Sequence, residues 1–533
     1  MTETIQILVI LLVVIAAVAA LSRWLKVPPA ILLVITGIAL ALVPALPAVE
    51  LAPDVVLLVI LPPIIYSSAV DMTWSEFRFN LRPIFLLAVG CVVFTTVAVA
   101  AAAHYVLRLP WEVGFVLGAI VSPPDAVAPL SVARRLRLPK RLLIVLEGEG
   151  LANDATALIL YRFAIAAVSA GTFSLTPALG TFAAIVIGEI IWGVGIGWLM
   201  LRLRRLARDP LIEITLSLIT PFVAYWPPEY LGGSGVLATV TAGLYISWNG
   251  LRFISAATRL QGIFFWDFFI YIIEGMIFLV TGLQARTLIG RIAHYPFHQL
   301  LSSAAVVCAV VIVARFVWIF PATYLPRWLS PRVRKRDPSP EWQAPFMLSF
   351  TGVRGIVSLA AALAIPLTAD YGGPFPYRDL ILFLTFSVII VTLVGQGLML
   401  PTVIRLLGLA NAGAREHRRD RVEESQARRA AIEAVIARLD EIAKERNLSG
   451  DQTAPLHQRH RDRLKHIVHQ SDGDAKHRQL TDLHDEIELL LIEAERDAIN
   501  NLFRDNKLGA EARRRIEREL DLREADLANQ RAE

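Results

Sequence analysis

The chain has 533 residues, 55% of them hydrophobic, and a formal net charge of +5. Its mean hydropathy of +0.55 averages two unlike parts, apolar blocks over residues 1–410 and a polar, charged stretch over 411–533. That excludes a single water-soluble globule, and a modest charge lodged mostly in loops argues against nucleic-acid binding. Two cysteines, Cys91 and Cys308, both in apolar blocks, argue against a disulfide framework or a cysteine metal site.

Apolar runs of about 20 residues are what a ~30 Å hydrocarbon core requires. About thirteen such blocks follow one another: roughly 4–21, 29–46, 53–71, 81–107, 111–133, 141–170, 175–203, 210–226, 232–249, 261–284, 297–325, 344–369 and 378–406. The expected fold is an all-α polytopic membrane protein with a helical C-terminal domain. "MTETIQ" lacks a basic n-region, and "SRWLK" puts its charge after the first run. The first block is therefore read as a retained helix, not a signal peptide.

The third block holds "LPPIIYSSAV", where Pro62 and Pro63 precede small polar residues. Cavity lining and a simple kink are equal readings there. The fifth block holds "AIVSPPDAVAPL", residues 119–130. Pro123, Pro124 and Pro129 each lack an N–H and crowd the carbonyl four residues earlier. The ladder should break near Ser122, leaving the carbonyls of Ala119 and Ile120 free. Broken backbone at membrane depth is tolerated where it is buried in protein or lines a cavity. Asp125 follows the break directly.

The sixth block holds "EGEGLANDATALILYRF", residues 147–163. A charge at mid-membrane costs about 2.5–3.5 kcal/mol on insertion scales, so Glu147, Glu149 and Asp154 need partners, water or a task. Glu149 and Asn153 are four apart and share a face; Glu147 and Asp154, seven apart, are nearly aligned. Gly150 leaves room one turn before Asp154. A helix of this kind lines a polar cavity near its centre.

Glu274 in the tenth block and Arg315 in the eleventh are lone charges, read as structural ion-pair partners. The twelfth block holds "SFTGVRGIVSLAAALAIP", with Arg354 between Gly352 and Gly355. A guanidinium stays charged and needs a carboxylate; Asp125, Glu149 and Asp154 are the candidates. Blocks five and twelve, both interrupted, lie seven spans apart and so run oppositely. That is the pattern of an inverted repeat, blocks four to six against eleven to thirteen.

The loops set orientation. Odd-numbered loops carry most of the Arg and Lys, among them Arg134, Arg135, Arg137, Lys140, Arg204, Arg205, Arg334 and Lys335. Even-numbered loops carry Arg108, Arg286, Arg291 and Arg378. Basic residues stay on the cytoplasmic side. The N-terminus is expected outside, the C-terminus in the cytoplasm. The tail reads as charge-laced helices punctuated by "NLSGDQTAP" and "HQSDGD". It holds seven of the ten histidines: His417, His457, His460, His466, His469, His477 and His484. Histidine titrates near physiological pH, which allows a pH-sensing tail; a solvated bundle that aids dimerisation is the other reading.

"SPPDAVA", "EGEGLANDATALILYRF" and "GVRGIVSLA", in this order and with "LPPIIY" upstream, resemble the motifs of the monovalent cation:proton antiporter-1 family. The resemblance covers residues 1–410. It implies a homodimer whose mobile core contains two crossed, broken helices. It implies that Asn153–Asp154 is the family's asparagine–aspartate pair, with Asp154 binding the transported cation or the proton. It further implies that Glu149 and Arg354 form a buried ion pair and that Asp125 is the acid after the helix break. Members often have threonine where Pro124 stands, serine where Gly150 stands and an acid where Ser67 stands, so the coordination shell here differs.

The expected function is exchange of Na⁺ or Li⁺, with K⁺ as the alternative, for a proton across the bacterial plasma membrane, by competition at one partly desolvated carboxylate. One carboxylate beside a neutral Asn153 implies electroneutral exchange. No cofactor is expected, and Asp154 is the metal ligand only for the transported ion. Two rivals are an intramembrane aspartyl protease using Asp125 and Asp154, and a cation channel. The arginine and the "GVRG" break argue against the first. The missing selectivity-filter repeat argues against the second.

Overall fold

The computed structural model describes residues 2–43, 52–170, 175–207, 209–250, 254–292, 295–368, 373–446, 448–471, 475–505 and 507–532. The expected block ends at 46 and 369, Arg208 and Arg252 of the odd-numbered loops, and parts of the two polar punctuations of the tail lie outside them. Helices begin where prolines and polar caps place them. α1 (Thr2–Leu25) is followed by α2 (Pro29–Ala41), α3 (Pro53–Asp71) and α4 (Leu81–Tyr105). Proline at the first helical position loses no hydrogen bond there, which suits Pro29 and Pro53. α3 passes Pro62 and Pro63 without a break, aided by a wider turn over Val56–Ile60.

The fifth block is two half-helices, α5 (Trp111–Val121) and α6 (Val127–Arg135). Next come α7 (Lys140–Ala170), α8 (Leu175–Ala207), α9 (Pro210–Tyr230), α10 (Val236–Asn249), α11 (Ala256–Arg291) and α12 (Phe297–Leu329). The Asp209 carboxylate caps α9, accepting from the Leu211 and Ile212 N–H groups at 2.9 and 3.1 Å. The twelfth block is again two half-helices, α13 (Gln343–Phe350) and α14 (Ile356–Leu363), and α15 (Arg378–Leu406) follows. Among the described residues, 8 helices are long and apolar enough to cross a membrane. α2 and α5 are shorter and apolar.

The chain divides into two compact units, Met1–Ala414 and Arg415–Glu533. In the first, α2 and α11 touch backbone to backbone. A Cβ on Gly37 would lie 2.9 Å from the Gly282 Cα, so only small residues permit this approach. The second unit consists of most of α16 (Leu409–Glu445), then α17 (Gly450–Ser471), α18 (Ala475–Arg504) and α19 (Ala510–Ala532). Ile492, Leu520 and Leu527 form a small core between α18 and α19. Arg496 pairs there with Asp521 at 2.7 Å and Glu524 at 2.8 Å. The side chains of His466, His469, His477 and His484 lie outside the described residues.

At the basic end of the first unit, three guanidiniums converge on Asp337. Arg141 and Arg327 each reach its carboxylate at 2.7 Å, and Arg82 joins them. Burial alone would raise the Asp337 carboxyl; the hydrogen bond and charge of Arg141, seconded by Arg327, hold it below the ordinary aspartate value. A carboxyl depressed on folding adds stability that is complete above its unfolded value of about 3.9 and is lost as pH falls through the lower folded value. Asp337→Asn should therefore lower the unfolding temperature at pH 7 and make no difference below that folded value. Equal unfolding temperatures at pH 7 would mean that the cluster adds no stability.

Candidate functional site

The two chain breaks meet. Residues 122–126 separate α5 from α6, and 351–355 separate α13 from α14. The Asp125 N–H donates to the Val353 carbonyl at 2.7 Å, tying one break to the other. Pro129 falls in the first turn of α6, where its missing N–H has no partner to lose. Of the two carbonyls expected to lose their donors, Ala119 and Ile120, one is taken by a side chain. Ala119 is not free; its carbonyl accepts the Ser122 hydroxyl at 3.2 Å. The carbonyls of Val121, Ser122 and Pro124 are buried, and each is taken by a side chain from elsewhere.

Arg354 supplies the first two of those bonds. Its Nε donates to Val121 at 2.9 Å and its Nη2 to Ser122 at 3.4 Å, while Nη1 reaches Gly352 of its own break. Its backbone N–H donates to the Thr392 hydroxyl at 2.9 Å. Arg354 thus stitches the two breaks together through backbone oxygens. This corrects the expected Glu149–Arg354 pair. Glu149 is held instead by Arg315 of α12, in a two-pronged pair at 2.5 and 2.8 Å. Both side chains are buried, with 1% and 2% exposure. Arg315 also donates to the Leu348 carbonyl at 3.0 Å. The reason is geometric. A planar fork matches a carboxylate two-fold, and Arg315 presents its fork to Glu149 across α7 and α12. Arg354 is spent on carbonyls at the two breaks; that of Val121 has lost its helical donor because the Asp125 N–H turns to Val353. Gly352 allows this crowding, since a Cβ there would collide with the Arg315 side chain.

α7 splits its polar residues between two faces, as their spacing requires. Glu149 and Asn153 point into protein. The Asn153 amide donates to the Pro124 carbonyl at 2.6 Å, which fixes α7 against the first break. Glu147, Gly150, Leu151 and Asp154 line a cavity of about 370 Å³. Gly150 is required at the closest approach, because a Cβ would lie 2.8 Å from that of Ala126. Asp125 and Ser358 also line the cavity, with Ser67 and Ser68 of α3 and Glu274 of α11. Toward its mouth stand Asp71, Asp267, and Glu147 paired with Arg134. The opposite side is filled: Leu158, Tyr161 and Tyr225 belong to the packed core.

Asp125 sits where two half-helices begin. Its Oδ1 accepts the Val127 N–H at 2.9 Å, and its carboxyl packs on Gly355, the residue before α14. A negative charge is favourable at a helix N-terminus, and here two termini share one acid. A Cβ on Gly355 would overlap that carboxyl. Overpacking of this kind costs about 1–3 kcal/mol, so Gly355→Ala should cut the exchange rate in vesicles about tenfold. Gly195→Ala, where the space is open, serves as control. Equal rates for both variants would mean that the Asp125 position is unimportant.

The family described as sodium/hydrogen exchanger, transmembrane, matches residues 8–406. The chain belongs to the sodium/hydrogen exchanger family. The exchanger is accordingly a membrane transporter of monovalent cations and protons, and not an enzyme. It is 34% identical to the uncharacterized Na(+)/H(+) exchanger Rv2287 of Mycobacterium tuberculosis, over 98% of this chain and 96% of that one. It is 31% identical to the sodium, potassium, lithium and rubidium/H(+) antiporter of Bacillus pumilus, over 74% and 60% of the two chains. Its fold resembles that of the sodium proton antiporter MjNhaP1 of Methanocaldococcus jannaschii. The TM-score is 0.61 at 19% identity, covering 76% of the exchanger and 99% of MjNhaP1.

Sequence reasoning read Arg315 as an ion-pair partner without finding its carboxylate. It passed over Asp71, at the end of the third apolar block, and Asp267, within the tenth, both of which line the cavity of the exchanger. Ser358 was missed as well. Its hydroxyl is buried without a hydrogen-bond partner, and one serine in an apolar helix carries no signal by itself.

Proposed function

We propose that the exchanger swaps one monovalent cation for one proton at Asp154, electroneutrally and by alternating access. The observation that carries this is the end of the cavity. A carboxyl reachable from the basic side stands there, next to an asparagine clamped on a helix break. When Asp154 is ionised it offers oxygens to a cation, and the Ser358 hydroxyl and waters complete the shell. When Asp154 is protonated the cation is not held. If only these two loaded forms pass the packed barrier at Leu158, Tyr161 and Tyr225, exchange is obligatory. Asn153 stays neutral, so one carboxylate carries one charge either way. Asp125 is the second member of the site and offsets the two half-helix termini.

Na⁺ or Li⁺ is the proposed cation, with K⁺ as the alternative; the Bacillus pumilus relative is named for all three. The protein is placed in the bacterial plasma membrane as a homodimer, N-terminus outside and C-terminus cytoplasmic. Proton release from reconstituted vesicles tests the reading, with Na⁺, Li⁺ and K⁺ compared and with the potential free or clamped. Equal rates under both conditions are expected for Na⁺ or Li⁺. A rate that follows the potential would overturn electroneutral exchange.

Residues 411–533 are proposed to regulate exchange without being needed for it, because every residue of the cavity precedes them. Deleting 420–533 should leave exchange intact and shift its pH profile, a shift reproduced by replacing the six histidines that the deletion removes with glutamine. Loss of exchange in a truncated protein that still folds would refute this division of labour.

A further inference from the structure

A second cavity, of about 200 Å³, opens at the basic end of the first unit, away from Asp154. Its walls are apolar: Leu86, Leu142, Val145, Ile319, Ala344 and Leu348 among them. Its rim carries Arg82, Arg141 and Arg327, the three guanidiniums that share Asp337. One carboxylate cannot balance three permanent cations, so the rim keeps an excess of two positive charges. The surroundings are those of a membrane interface. Phe85 is 61% exposed and Trp328 79%, with Leu81 and Leu329 exposed beside them in sequence. Tryptophan favours the headgroup level, and exposed apolar side chains favour acyl chains.

We propose that this crevice binds an anionic glycerophospholipid, with acyl chain in the apolar cleft and phosphate on Arg82, Arg141 and Arg327. Guanidinium forks suit phosphate oxygens, and the apolar walls suit hydrocarbon. A free anion would use only the rim and leave the cleft unexplained. A zwitterionic lipid brings its own cation against three others. The site joins the ends of α4, α7 and α12 to the start of α13. α7 carries Glu149 and Asp154, and α12 carries Arg315. A bound lipid thus braces the helices that hold the ion-binding residues. Asp337 competes with the phosphate for the same donors.

Native mass spectrometry of the full-length protein in neutral detergent tests the site, with phosphatidylglycerol, phosphatidylcholine or inorganic phosphate added. Phosphatidylglycerol should be retained about fivefold or more in preference to phosphatidylcholine, the order expected for one basic residue at a membrane surface. Arg82→Gln should weaken its retention about fivefold. Ala344→Phe, which fills the cleft without touching a charge, should weaken it as well, and Asp337→Asn should strengthen it. Equal retention of the two lipids overturns the proposal, as does unchanged retention in Ala344→Phe, even if Arg82→Gln fails to fold. Displacement by millimolar inorganic phosphate would assign the rim to a free anion and overturn the lipid.

Discussion

Asp154→Asn is expected to insert and fold like the native protein and to exchange nothing: not Na⁺, Li⁺ or K⁺. The substitution keeps size and polarity and removes the one property on which the proposed exchange depends, a carboxyl that is either protonated or free to hold a cation. Folding should survive because the hydrogen bond anchoring α7 to the first break is made by Asn153, not Asp154. Neither is Asp154 part of the buried ion pair, which is Glu149 with Arg315. The measurement is proton release driven by each cation in vesicles, with protein amount and unfolding temperature matched to the native chain. Activity clearly above that of empty vesicles for any of the three ions would move the carrier elsewhere. Asp125 would be the first candidate, since it lines the same cavity.

Removing Arg315 should be the most destabilising single change in the core. Breaking a buried pair leaves an uncompensated charge and costs about 3–5 kcal/mol. Arg315→Ala and Glu149→Ala should each lower the unfolding temperature in detergent. The double variant should be less damaged than the sum, because the second change removes the charge that the first left unpaired. Arg354 makes its bonds to neutral carbonyls. Its removal leaves acceptors unsatisfied, at about 1–3 kcal/mol each, and unties the two breaks. Arg354→Ala and Glu149→Ala should therefore couple more weakly than Arg315→Ala and Glu149→Ala do. If Arg354 and Glu149 couple strongly while Arg315 and Glu149 do not, the pairing seen here is not the one that stabilises the protein.

Much of this protein was legible in its sequence. Long apolar runs leave the backbone in lipid no partner but itself, so helices are forced. Prolines 123, 124 and 129 together made a break the expectation, and the chain breaks there although α3 carries Pro62 and Pro63 unbroken; a residue spacing of four or seven decides which side chains share a face. That is why the split of α7 into a face with Glu149 and Asn153 and a face with Glu147 and Asp154 could be read from spacing alone. Membership of the exchanger family rests on the same local motifs. Partnership was another matter. Arg315 and Arg354 are both lone arginines in apolar helices, and composition does not distinguish them. Which one meets Glu149 depends on how α12 and α13–α14 approach α7 in space, and two-pronged ion pairing requires one orientation of the fork. The oxygens that Arg354 takes are backbone atoms, which no side-chain pattern reveals. The second cavity likewise joins the ends of four helices far apart in the chain. Local chemistry determined the elements and which side chains share a helix face; only the packing of helices decided which charges neutralise each other, because that depends on distances across the fold and not along the chain.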